Sequence, residues 1–84
     1  MQINKTDILK SICYTELVYG RINKKLGSGF SNADIEKMMF RLIEQTPEKY
    51  FQRTGKNIYV SNPDEKIRIT INSNTYRIIT VDKI

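Results

Sequence analysis

At Gly55 the chain changes its hydrophobic period. Before it, apolar residues recur every three to four positions, and after it they alternate with polar ones, the spacings of a helix face and of a half-buried strand. Helices first and strands second cannot make the alternating units of a parallel sheet. The expected class is therefore α+β: two long helices and a short third one, followed by a three-stranded antiparallel sheet packed on them. At 84 residues the chain supports one core, so a single domain is expected, helical over about 6–54 and a meander over about 56–82.

The helical half divides by its punctuation. Ile8, Ile12, Tyr19, Ile22 and Leu26 share one face of a first helix over Thr6–Leu26, with Thr6 as N-cap, Gly27 and Gly29 as the stop, and Gly20 as a weak point that could divide it. Leu9, Cys13 and Leu17 form a second apolar strip on another side of that helix, the pattern of an element sandwiched or dimerising. Ser31 with Asp34 three residues on opens a second helix through Gln45, burying Ile35, Met38, Met39, Leu42 and Ile43. Thr46-Pro47 starts a short third helix that Gly55 ends.

In the second half, Lys56–Asn62 and Lys66–Asn72 alternate as strands around a turn at Pro63-Asp64. Ser73 and Asn74 then reverse the chain. A two-residue loop there pairs Asn72 with Thr75, setting Ile71 opposite Tyr76 and Ile69 opposite Ile78 towards the helices. The same register sets Thr70 opposite Arg77 and Arg68 opposite Ile79 on the outer face, with Val81 beside them.

Composition narrows the function classes. Eight aromatic residues within a 39% hydrophobic content suffice for a core without a metal or disulfide, and no cofactor is expected. A lone cysteine and no histidine point to a reducing cytoplasm and leave no tetrahedral zinc set. The N-terminus lacks a signal-like apolar stretch, and no segment suits a bilayer. Fourteen basic against nine acidic residues give +5, which favours nucleic acid, nucleotide, anionic lipid or an acidic protein surface as partner, or else simply keeps the chain in solution.

Three blocks, ICYTELVYGRINKKLG, GKNIYV and ITINSNTYRIITVD, together resemble an uncharacterised family of short bacterial proteins that carries only a domain-of-unknown-function label. The resemblance spans nearly the whole chain. It implies a small bacterial or mobile-element protein, and no activity, ligand or catalytic residue.

Binding chemistry must then be sought in the residues themselves. Lys10, Tyr14, Arg21 and Lys25 fall within about a sixth of the helix circumference, flanked by Lys24, and no acidic residue lies between Glu16 and Asp34; cations in a last turn also complement the helix dipole without any ligand. The segment YFQRTGKNIYV interleaves Arg53 and Lys56 with tyrosines, Tyr59 among them, around a glycine. That chemistry suits phosphates and stacked bases, although such aromatics also fill cores. A polar platform of Arg68, Thr70, Asn72, Arg77 and Tyr59 on the outer sheet face is the third candidate.

Without histidine, a glycine-rich phosphate loop or a nucleophile turn, most enzyme classes fall away, and Cys13 between Leu9 and Leu17 reads as packed. The leading expectation is a non-enzymatic binding domain for a nucleotide or nucleic acid, with Arg21, Lys25, Arg53, Lys56, Tyr59, Arg68 and Arg77 as ligand-binding residues. A protein-interaction module, such as a phage inhibitor or antitoxin-like partner, using Leu9, Cys13 and Leu17 for a partner or a homodimer, is the second. A metal-free ribonuclease is the third, and requires Arg53, Lys56, Tyr59 and Arg77 to converge on one phosphate.

Overall fold

A computed structural model describes residues 3–84. The chain is α+β: three helices, α1 (Lys5–Ser11), α2 (Glu16–Leu26) and α3 (Asn32–Gln45), precede the antiparallel strands β1 (Phe51–Thr54), β2 (Asn57–Asn62), β3 (Ile67–Asn72) and β4 (Ile78–Lys83). The strands form one meander in the order β1-β2-β3-β4. All three helices back the same sheet face, since Ile8, Ile22, Ile35, Met39, Leu42 and Ile43 share a core with Ile58, Val60, Ile69, Ile71, Ile78 and Val81.

Two helices stand where one was expected. Asn4, rather than Thr6, caps α1, its Oδ1 accepting from the Asp7 N–H at 3.2 Å. The break falls at Ile12–Thr15 and not at Gly20, because isoleucine, cysteine, tyrosine and threonine in succession are weak helix formers and Cys13 finds main-chain partners elsewhere. Its N–H donates to the Tyr76 carbonyl at 3.2 Å and its carbonyl accepts from the Ile78 N–H at 2.9 Å, an isolated parallel bridge opposite Arg77. Gly20 sits inside α2 with open space where a Cβ would be. Gly20→Ala should therefore raise stability by roughly 0.5–1 kcal/mol, read from a chemical denaturation midpoint.

The break also dissolves the expected apolar strip. Leu9 packs on the core from α1, Leu17 stands 80% exposed on α2, and Cys13 is exposed on the linker rather than packed, its Sγ 3.6 Å from the Thr75 carbonyl. The remaining caps match the sequence. Gly27 closes α2 in the left-handed region at φ 64°, and Ser31 opens α3 by accepting from the Asp34 N–H at 3.2 Å. Met38 is only half-buried.

The sheet has a fourth strand because Pro47 starts no more than a 3₁₀ turn, Glu48–Tyr50, before the chain extends. Phe51–Thr54 then pairs with Asn57–Val60. Gly55, at φ 61°, serves a two-residue hairpin turn rather than a helix stop.

The β3–β4 connection is longer than expected. Asn72 bonds Arg77 main chain to main chain at 2.9 Å, its Oδ1 accepts from the Asn74 and Thr75 N–H groups, and Tyr76 turns the corner at φ 58°. Ile71 accordingly faces Ile78 rather than Tyr76. A bulge follows, so that Thr70 pairs with Thr80, Ile69 with Val81 and Arg68 with Asp82. One extra residue, Ile79, inverts the alternation downstream, so that Val81 enters the core, while Arg77, before the bulge, comes level with Asn72 rather than Thr70.

Candidate functional site

The helix-to-sheet packing leaves a groove of about 240 Å³ between α2 and the start of β4, lined by Thr15, Leu17, Val18, Arg21, Arg77, Ile78 and Ile79. Two sequence-selected arginines meet here from distant parts of the chain. Arg21 is carried by α2, whose buried Val18 and Ile22 press the helix onto β4, and its Nη1 donates to the Ile79 carbonyl at 3.1 Å. Arg77 is carried by the Cys13 bridge. Its main-chain N–H meets Thr75 Oγ1 at 3.3 Å, while its exposed guanidinium has no hydrogen-bond or ion-pair partner among the described residues.

Thr15 lies at the α2 N-terminus, lines the groove and makes no side-chain cap bond. Arg21 also lines a neighbouring depression with Gly20, Lys24 and Lys25. Lys25 holds Asp82 at 3.0 Å, an ion pair between half-exposed partners that contributes little to stability. Leu17, Val18, Ile78 and Ile79 give the groove apolar walls, and among the described residues no carboxylate lines it.

The other selected residues lie elsewhere. Lys10 and Tyr14 leave the basic stripe because α1 and the linker no longer share an axis with α2. Tyr14 stacks on Tyr19, with ring centroids 5.4 Å apart, and Tyr19 donates to Glu36 Oε2 at 2.7 Å, which ties α2 to α3. Burial, with the Glu36 charge second, pushes the Tyr14 phenol well above its ordinary value, and its hydroxyl is buried with no partner among the described residues. The bond to Glu36 likewise raises Tyr19. Both phenols stay protonated, as parts of the packing.

Arg53 faces Ile58 across the β1–β2 ladder, hence on the helix side, where it lines a separate cleft with Asp7, Ser73 and Tyr76. Lys56 occupies the hairpin turn, and Tyr59 points to the opposite face from Arg53. The sheet therefore separates Arg53 from Tyr59, and Arg77 is at the far edge strand, so the four side chains that a ribonuclease would need do not surround one phosphate.

Among the described residues, no helix covers the outer sheet face. Gln52, Tyr59, Thr70 and Thr80 form one cross-strand row; Thr54, Asn57 and Asn72 lie to one side, and Ser61, Arg68 and Asp82 to the other. Arg68 Nε reaches Ser61 Oγ at 3.2 Å and Asn57 Nδ2 reaches the Tyr59 hydroxyl at 3.4 Å. Of the expected platform, Tyr59, Arg68, Thr70 and Asn72 share this face, and Arg77, just before β4 and level with Asn72, lines the groove.

Thr15, Leu17, Val18, Ile78 and Ile79 were not singled out as groove residues by their sequence pattern. A threonine at a helix start with glutamate after it was the available signal for Thr15. The approach of Arg77 to Arg21 had no local signal.

Helices gathered on one side of an antiparallel meander, with a cationic groove at its last strand, define a small helix-backed α+β domain. Residues 6–82 match the model of the family described as Protein of unknown function (DUF3781), and the chain belongs to that family. No curated protein and no solved structure matches it. Among the described residues, no helix is long and apolar enough to cross a membrane.

Proposed function

We propose that this domain is a binding protein for a phosphate-bearing ligand, held without turnover in the groove between α2 and β4. One observation carries the reading: Arg77 brings a guanidinium with no partner among the described residues to the groove that Arg21 also lines. Two planar forks and the Thr15 hydroxyl suit phosphate oxygens, and charge-assisted bonds of this kind are the strong ones. Ile79 offers apolar contact to whatever the phosphate is attached to. With Lys24 and Lys25 alongside, the local field is positive, in keeping with the net charge of +5.

For a nucleic acid the association constant should fall linearly with salt on logarithmic axes, with a slope of roughly −2 for a strand neutralised by three cations. Titration of a fluorescent oligonucleotide at several salt concentrations measures it. No binding of mononucleotide, oligonucleotide or inorganic phosphate at low salt would overturn the reading.

The exposure of Leu17 favours a second reading, an apolar contact with a protein partner at the same groove. Leu17→Lys separates them. An added cation should leave phosphate-ligand affinity unchanged or raised, whereas a protein contact through Leu17 would be lost, and an unchanged thermal melt would show that the fold survives.

A further inference from the structure

We infer that the ligand is a single-stranded polynucleotide, whose phosphates follow the Arg21–Arg77 groove while its bases lie across the outer face of the sheet. This rests on the phosphate reading of the groove and adds a second surface to it. The two surfaces are continuous through β4, where Ile79 lines the groove and the next residue, Thr80, opens the row that crosses the sheet through Thr70 to Tyr59.

The chemistry of that face is unlike ordinary solvated surface. Charged residues make up 27% of the chain, and solvent-facing positions normally concentrate them. Yet the three outward rows hold only Arg68 and Asp82 as charges, and they carry no lysine or glutamate. They are otherwise threonine, asparagine, serine, glutamine and one tyrosine. Short amide and hydroxyl side chains can donate and accept towards base edges at little entropic cost, and Tyr59 supplies an aromatic face on which a base can stack.

These side chains are also held in place before any ligand arrives. Asn57 binds the Tyr59 hydroxyl, Arg68 binds Ser61, and Thr70, although no helix covers it, is only 6% exposed between its cross-strand neighbours. A four-stranded row spans roughly 14 Å at the usual strand spacing, room for a short stretch of unpaired bases. A duplex, with its bases stacked inside, could not use the face.

Fluorescence anisotropy with a series from mononucleotide to octanucleotide tests this, in RNA and DNA forms. Affinity should rise steeply with the first few nucleotides and then level, and Tyr59→Ala should weaken octanucleotide binding about tenfold. Tyr59→Phe, which keeps the ring, should bind like the parent chain and so control for folding. Either sugar satisfies the inference, and a preference for RNA would assign a role to contacts with the 2′-hydroxyl. Binding of a mononucleotide as tightly as of the octanucleotide, or of duplex more tightly than single strand, would overturn it. If Arg77→Ala abolished that binding while Tyr59→Ala left it intact, the groove would stand and the sheet-face inference alone would fall.

Discussion

Asn62→Ala should cost about 2–4 kcal/mol and lower the melting temperature by ten degrees or more, as read by far-UV circular dichroism. Asn62 is 5% exposed at the end of β2, and it serves two structures at once. Its Nδ2 donates to Thr46 Oγ1 at 3.0 Å, the hydroxyl of which donates in turn to the Leu42 carbonyl at 2.6 Å. Its Oδ1 accepts from the Asp64 and Glu65 N–H groups at 3.0 and 2.9 Å. Truncation leaves two turn amides and a buried hydroxyl short of a partner, and an apolar isostere cannot repair the backbone half of the loss. Asn62→Asp retains the acceptor for the turn and gives up the donor to Thr46, so it should be less damaging than alanine at neutral pH, by a margin that the buried charge reduces. An unchanged melt for Asn62→Ala would mean that the Thr46–Asn62 link carries no net stability.

Ile22→Ala should be the other severe change, costing about 2–5 kcal/mol. Ile22 is fully buried where α2 meets β4, and helix α2 keeps few other core anchors: Val18 is buried, while Leu26 and Tyr19 are only partly so. For a domain of this size the loss is a large fraction of the total stability. Because the same helix carries Arg21, the expected result includes weaker ligand binding at temperatures where the variant is still folded. Ile22→Val, which removes a single methyl group, should cost about 0.5–1.5 kcal/mol and preserve binding. Binding lost in the valine variant at full folding would point to a dynamic rather than a purely structural coupling between the core and the groove.

Features that depend on neighbours in sequence were legible. Ser31, Gly27 and the apolar face of α3 read correctly because caps and helical periodicity are local. So did the two central strands, and with them the outer-face positions of Tyr59, Arg68, Thr70 and Asn72. The failures have a common physical origin. Pro47 signals a helix running into the FQRT segment, although phenylalanine and threonine before a Gly-Lys turn equally suit a strand. Only pairing with β2 decides between them. The Ile12–Thr15 break depends on hydrogen bonds to Tyr76 and Ile78 at the other end of the chain. Likewise the bulge at Ile79 cannot be seen in an alternating pattern that looks continuous, and the approach of Arg77 to Arg21 depends on how α2 packs on β4. Of the candidate residues, those on the two central strands keep their expected face, whereas Arg53, on a strand that only pairing defines, does not.

The bridge between Cys13 and Arg77 has a thermodynamic meaning as well as a geometric one. It joins residues 13 and 77 of an 84-residue chain, so it can form only after the ends of a long loop have been brought together. The change of period at Gly55 looks like a seam between two modules, but the linker of the helical half is stitched into the last hairpin of the strand half. Neither half has its hydrogen bonds complete alone. Helices and sheet should therefore melt as one cooperative unit, with the sequence seam invisible to any probe of unfolding.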